Sequence, residues 1–328
     1  MRTVITGGAG FIGSHLADYL LRCGDEVIVL DDFSTGSMAN LSQAQQYPGF
    51  RLVSGSILEQ RLVHSVVSGA DRVFHLAAAV GVRRIIDDPL NSLRTNIHGT
   101  EIVLDAALET GAIMVLASTS EIYGKNAADL LHEDSDRILG SALTSRWTYA
   151  GAKAIDEAFA YEYWREFGLR VSIARLFNTV GPRQTGRYGM VVPNLVGQAL
   201  RSDPLTVFGD GTQTRCFTYV GDIVPTLVRM AEEPAAFGQA FNLGRQQEVS
   251  IIRLAERIIQ LLDSDSSIEL VPYELAYEQG FEDMRRRVPD NHRAVTTLGF
   301  RPDTGLDAII EAVAGHIREG MSKETVGA

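Results

Sequence analysis

Tyr149 and Lys153 stand four residues apart in "TSRWTYAGAKAIDE", so on a helix both side chains leave the same face. An ammonium beside a phenol stabilises the phenolate and pulls the tyrosine below its ordinary pKa of about 10. Such a pair is a general base that takes the proton of an alcohol while hydride leaves the same carbon. The spacing is also common among solvated pairs on helix surfaces, so a second signal has to support it. It comes just upstream in "LASTSEIYG", where a β-rich run ends in Ser118, Thr119, Ser120 and Glu121. Hydroxyls and a carboxylate at the carboxyl end of a strand belong where open α/β sheets bind ligands.

A second cluster lies at the N-terminal end of the chain. "VITGGAGFIGSH" sets Gly7, Gly10 and Gly13 between a β-rich run and a helical pattern. A turn without side chains there lets backbone N–H groups and the positive helix end meet a pyrophosphate. The spacing is GxxGxxG, and a glycine-rich turn alone is weak evidence. The next run, "EVIVLDD", ends in Asp31, placed to accept hydrogen bonds from a ribose diol and to repel a 2′-phosphate. This favours NAD over NADP.

The elements that must position these groups alternate. "RTVIT", "EVIVLDD", "RLVSGS", "RVFHLAA", "IMVLAST" and "RVSIARLFN" read as strands, separated by helical segments such as those closed by Gly24 and Gly111. The pattern predicts an α/β protein, a doubly wound parallel Rossmann sheet with helices on both faces. After Asn178 the rhythm breaks into Gly/Pro-punctuated pieces and a helix-rich end. We therefore expect a dinucleotide-binding domain over residues 1–177, rejoined by roughly 217–246, and a smaller, partly interleaved substrate domain over 178–328.

Composition narrows the function classes. With 328 residues and a formal net charge of -11, the chain has room for a cleft between units and little affinity for nucleic acid or anionic membranes. Cys23 and Cys216 have neither disulfide-framework nor zinc spacing and read as small core residues in a reducing compartment. No metal site is expected. The chain runs straight into its first strand and has no apolar run of membrane length, so a cytoplasmic protein is expected.

Taken together, "TGGAGFIGSHL", "DDFSTG", "VFHLAA", "TNIHGT", "STSEIYG", "YAGAK", "RLFNTVGPR", "PLTVFGDGTQTRCFTYVGDIV" and "RRVPD" occur in the order seen in extended short-chain dehydrogenase/reductases acting on nucleotide sugars. The chain resembles that family over nearly its whole length. The resemblance implies NAD contacts from Gly7, Gly10, Phe11, Ile12, Gly13, Asp31, Asp32, Ser34, Thr35 and Gly36. Further contacts along the cofactor come from Ser56, Ile57, Leu76, Ala77, Ala78 and Asn96, with Tyr149 and Lys153 at the nicotinamide ribose. It implies a nucleotide-diphosphate grip from Asn178, Val192, Phe208, Arg215 and Arg287. Two arginines on one diphosphate suit forked, charge-assisted hydrogen bonding.

Family members open by moving hydride from C4 of the sugar to NAD. Thr119-Ser120-Glu121 resembles the corresponding loop of UDP-glucuronate decarboxylases, in which the 4-keto sugar loses its C6 carboxylate as carbon dioxide. The resemblance assigns Tyr149, with Lys153, as the C4 base, Thr119 and Ser120 as orienters, and Glu121 with Arg287 to substrate orientation and the C5 proton. The product is then a UDP-pentose or a UDP-4-keto-pentose. Epimerisation at C4 of UDP-glucuronate or UDP-glucose is the alternative, and 4,6-dehydration, which usually needs an Asp where Ser120 stands, follows it. An inactive NAD-sensing scaffold is the reading from another class, but such proteins typically lack the tyrosine or lysine kept here.

Three positions depart from the family pattern. Ser56-Ile57 replaces an Asp-hydrophobic pair, Ile85 stands where a tyrosine is frequent, and Met190 where an arginine occurs. Arg83 or Arg84 could supply a compensating cation for the sugar carboxylate. The family also implies a homodimer through a four-helix interface, here the helix over 96–110 and the one beginning near Tyr149, whose stripes "IVLDAAL" and "AIDEAFAYEYW" are expected to face outward.

Overall fold

The computed structural model describes residues 1–79, 88–144, 147–186, 190–272 and 286–326. The first half alternates strands and helices: β1 (Arg2–Thr6), α1 (Phe11–Arg22), β2 (Glu26–Asp31), β3 (Phe50–Ser54), α2 (Gln60–Val67), β4 (Arg72–His75), α3 (Pro89–Thr110), β5 (Ile113–Thr119), α4 (Thr148–Phe167) and β6 (Val171–Leu176). These strands are joined by a later one, β11 (Ala240–Leu243), in a seven-stranded sheet of order β11-β6-β5-β4-β1-β2-β3. Every pairing in it is parallel. The order reverses at β1, so a crevice opens beyond the carboxyl ends of β1 and β4.

Both faces of the sheet are covered, which explains strands that are apolar almost throughout. Side chains alternate between the two faces. Ile5, Val27 and Val29 join a core with Leu16 and Leu20 of α1 and with Ile223 and Leu227 of the helix α6 (Val220–Glu232). Val4, Ile28 and Leu30 join the opposite core with Val63 of α2, Ile102 and Val103 of α3 and Ala160 of α4.

The remaining elements form the floor of a second lobe. They are β7 (Thr179–Val180), α5 (Val191–Leu200), β8 (Leu205–Phe208), β9 (Thr214–Cys216), β10 (Thr218–Tyr219), β12 (Glu248–Ser250), α7 (Ile251–Leu262), β13 (Ile268–Val271) and α9 (Leu306–Val326), whereas α8 (His292–Leu298) returns to the large sheet and buries Ala294 and Leu298 in its first core. Three two-stranded sheets, β10-β7, β12-β9 and β13-β8, complete the topology of the described residues. A third apolar core ties this lobe together through Leu195, Val196, Leu254, Ile258, Ile309 and Ile310.

Two expectations are corrected here. Cys216 is buried, but Cys23 is exposed, because α1 ends there and the chain turns through Gly24 at φ +87°. The "IVLDAAL" stripe of α3 does not face outward: Ile102, Val103, Leu104, Ala106 and Ala107 are all buried against the sheet. Outward apolar side chains lie instead on α4, at Ile155, Tyr161 and Phe167, and on α3 at Leu90 in its first turn.

Candidate active site

The two sequence clusters open onto one cleft of about 910 Å³ between the carboxyl edge of the large sheet and the second lobe. The glycine turn forms its floor. Gly7 sits at φ +72°, and a Cβ there would come within 2.7 Å of the Ala77 backbone nitrogen. At Gly13 a Cβ would meet the Gly7 carbonyl oxygen at 2.3 Å. The turn is thus closed against both β4 and α1, and only glycine fits. Gly10 leads into α1 without any side-chain cap, so the helix end is left to backbone donors facing the cleft.

Asp31 organises the wall beside it. Its Oδ2 accepts from the Ala9 amide at 2.8 Å and its Oδ1 from the Phe33 amide at 2.8 Å. Burial raises its pKa, against the pull of those two amides. Open helix end, side-chain-free turn and carboxylate at the end of β2 fit a dinucleotide. Phe11, Ile12, Asp32, Ser34, Thr35, Gly36, Ile57, Leu76, Ala77 and Ala78 line the same cleft.

Two expected cofactor residues stand behind the wall. Asn96 is buried and spends its amide on Ala79, accepting from the Ala79 N–H at 2.8 Å and donating to its carbonyl at 3.3 Å. Ser56 has its N–H bound by the Glu59 carboxylate at 2.8 Å, while its neighbours Gly55 and Ile57 reach the cleft. Arg83, Arg84 and Ile85 lie outside the described residues.

At the centre of the cleft β5 ends at Thr119, and a single 3-10 turn, Ser120–Tyr123, follows. Thr119 caps that turn by accepting from the Glu121 amide at 3.2 Å. Tyr149 and Lys153, on the first turns of α4, are both buried and both reach the cleft. From the far lobe Arg287 donates to Ser120 Oγ at 3.3 Å and to Glu121 Oε1 at 2.5 Å. Chain segments 166 residues apart therefore meet as an ion pair beside the tyrosine.

The expectation that Lys153 lowers the Tyr149 pKa is overturned. Burial, then the negative charges of Glu121 and Asp156, hold the phenol above its ordinary value, and the hydrogen bond to Thr119 only partly offsets them. Lys153 Nζ donates to Asp156 Oδ2 at 2.9 Å, so its charge is already matched. No motif in the sequence marks Asp156. Its signal was the three-residue spacing from Lys153 on the same helix.

A buried polar network braces the turn from behind. Ser118 Oγ donates to Glu157 Oε1 at 2.5 Å, and Arg175 Nη2 donates to Glu157 Oε2 at 2.7 Å. Arg175 Nη1 also donates to the Tyr123 hydroxyl at 2.8 Å, which donates on to Asn242 Oδ1 at 2.7 Å. Three strands and α4 are thereby locked together under the 3-10 turn.

The second lobe supplies the opposite wall. Asn178, Val192, Phe208 and Arg215 all line the cleft, as does Met190. Asn178 is held at φ +32° with its amide donating to the Cys216 carbonyl at 3.2 Å. Arg183, at φ +68°, also lines the cleft and donates to Asp18 at 2.7 Å, tying this wall to α1. No group of three or more His, Cys, Asp or Glu that could hold a metal ion occurs among the described residues, and none of their helices is long and apolar enough to cross a membrane.

A family model described as GDP-mannose 4,6 dehydratase matches residues 4–313. The chain belongs to this family of extended short-chain epimerases and dehydratases. Among curated relatives, a UDP-N-acetyl-alpha-D-glucosaminuronate decarboxylase of Bacillus cytotoxicus is 38% identical, covering 97% of this chain and 98% of the relative. UDP-glucuronic acid decarboxylase 1 of Arabidopsis thaliana is 36% identical, covering 100% of this chain and 72% of the relative. Among solved structures, a UDP-glucuronic acid 4-epimerase of Bacillus cereus in complex with UDP-glucuronic acid and NAD superposes with a TM-score of 0.85 at 28% identity, covering 97% of this chain and 99% of that one. The epimerase/dehydratase fold thus carries both reaction types among this chain's relatives.

Proposed function

We propose that this protein is an NAD-dependent decarboxylase of UDP-glucuronate, working through a 4-keto intermediate to a UDP-pentose or UDP-4-keto-pentose. The observation that carries the reading is the Glu121–Arg287 pair beside Ser120 in the cleft that also holds Tyr149. The decarboxylase names of the full-length relatives support it.

The nucleotide diphosphate is assigned to Arg215 and the wall formed by Asn178, Val192 and Phe208, and NAD to the Gly7–Gly13 turn and Asp31. Held there, NAD would supply a hydride acceptor and donor for C4 and, when oxidised, a positive charge favouring ionisation of Tyr149. Tyr149 takes the C4 hydroxyl proton, with Thr119 hydrogen-bonded to its phenol. The resulting ketone is β to the C6 carboxylate. The C5–C6 bond then breaks, its electrons pass into an enolate on the C4 oxygen, and C5 takes a proton. Glu121, a carboxylate paired with Arg287, is placed to orient the solvent water that delivers that proton, and Arg287 holds both Glu121 and Ser120 in line. Tyr149 returns its proton to the C4 oxygen as hydride comes back.

A second uronate, UDP-N-acetylglucosaminuronate, is favoured by the Bacillus relative and requires the same steps. Assembly as a homodimer is supported by the exposed Ile155, Tyr161 and Phe167 of α4, and a cytoplasmic setting by the exposed, unpaired thiol of Cys23. The test is proton NMR of each uronate incubated with protein and NAD. Loss of the C5 substituent with pentose signals is the expected result. A galacturonate pattern would make the protein an epimerase.

A further inference from the structure

Asp156 is a fully buried carboxylate to which the reaction above gives no task. It lies one turn beyond Lys153 on the inner face of α4, and its Oδ2 accepts from Lys153 Nζ at 2.9 Å. Its Oδ1 makes no hydrogen bond of ordinary length among the described residues, and the Thr100 hydroxyl is the donor nearest the carboxylate apart from Lys153. The groups that face it are few. On α4 itself they are Lys153 and Glu157, the latter engaged by Arg175. From α3 comes the Thr100 hydroxyl, and behind it His75 of β4, whose Nε2 lies 3.1 Å from Thr100 Oγ1 and whose Nδ1 lies 2.7 Å from Thr6 Oγ1. Burial pushes the His75 imidazole down to about 3, so it adds no positive charge near neutral pH.

The arrangement leaves Tyr149 between two ion pairs, each close to neutral in sum. Lys153 is matched by Asp156, and Arg287 by Glu121. A lone ammonium in this position would favour the phenolate; a matched one largely does not. We propose that Asp156 is a positioning residue that fixes Lys153 beside Tyr149 and cancels its field there, setting the pH at which the tyrosine ionises. The phenol then stays protonated until a further positive charge enters the cleft, so proton removal waits for the oxidised cofactor. The same device favours the protonated phenol in the 4-keto stage, when that proton has to be kept for return to the C4 oxygen. This inference rests on Tyr149 being the base.

The test places difluorotyrosine at position 149 of the full chain, which brings the phenol's titration into the range where the protein is folded, and follows it by fluorine NMR with and without Asp156→Asn. Asparagine keeps an acceptor for Lys153 and removes the charge. The expected result is a titration moved down by about one pH unit. In Lys153→Met/Asp156→Leu, which removes the pair together, the titration is expected to stay within about half a unit of the parent, and this variant serves if Asp156→Asn does not fold. A titration in Asp156→Asn that stays put or moves up would overturn the proposal, since the carboxylate would then act only as a brace or as the keeper of the lysine's charge. A separate assay of Tyr149→Phe distinguishes the two failures. Unchanged turnover there sinks the base assignment itself, whereas lost turnover with an unmoved titration sinks only the role of Asp156.

Discussion

Arg287 reaches across the cleft to donate to Glu121 Oε1 at 2.5 Å, so the main cation near the reacting end of the site is already partnered before any sugar carboxylate arrives. A uronate carboxylate therefore has to share Arg287 with Glu121, and each residue restrains the other. Replacing Glu121 by Gln keeps the shape and removes the charge. We expect kcat for carbon dioxide release to fall about 10²-fold while KM for the uronate falls or holds, because Arg287 is freed. Arg287→Ala leaves both partners without their cation and is expected to lower kcat/KM about 10- to 100-fold. Steady-state kinetics of the two variants checks this split.

Tyr149→Phe removes the base and leaves the buried surroundings in place. A loss of about 10³-fold in kcat is expected, with NAD affinity changed little. Stopped-flow absorbance of the reduced nicotinamide reads the step directly, and a wild-type rate of its formation would contradict the assignment.

His75 couples acidity to stability. Its imidazole is neutral in the folded protein, with a pKa pushed down to about 3 by burial, against an ordinary value of 6.5 in the unfolded chain. Between these values the unfolded state binds a proton that the folded state does not. Stability therefore falls as pH drops below 6.5, by up to about 1.4 kcal/mol per pH unit from this residue, and the effect flattens near pH 3. Denaturant midpoints measured from pH 7 downward test it, with His75→Gln expected to show a shallower acid slope.

The Glu157–Arg175 pair is buried at both ends and carries Ser118 and Tyr123 with it. Glu157→Ala strands the guanidinium in the interior and is expected to cost about 3 to 5 kcal/mol of stability. Activity measured well below the melting temperature is also expected to drop, since Ser118 adjoins the Thr119 cap. A variant with wild-type stability would show that the network is dispensable.

The features legible in the sequence were those set by local spacing. Gly7 and Gly13 announce a tight turn because their backbone contacts lie within a few residues or on an adjacent strand, and Tyr149 with Lys153 follows from helix geometry alone. Alternation of strands and helices gave the parallel sheet. Charge balance was not legible. The sequence shows a lysine one turn from a tyrosine but not which face of α4 is buried, so Asp156 passed for part of an outward stripe and the phenol was expected to be acidic. The α3 stripe failed for the same reason, since periodicity marks an apolar face without saying what covers it. Asn96 was placed on the cofactor by resemblance, while the folded chain uses its amide to hold Ala79. Arg287 is marked in the sequence only by the family motif, because nothing local links residue 287 to Glu121.

The most direct test of the account counts carbon dioxide against UDP-glucuronate consumed, with NAD present, for the wild-type protein and for Tyr149→Phe. One carbon dioxide per sugar nucleotide, lost in the variant, is the predicted result. Consumption of UDP-glucuronate with its carboxylate retained and C4 inverted would contradict the account and make the same cleft that of an epimerase.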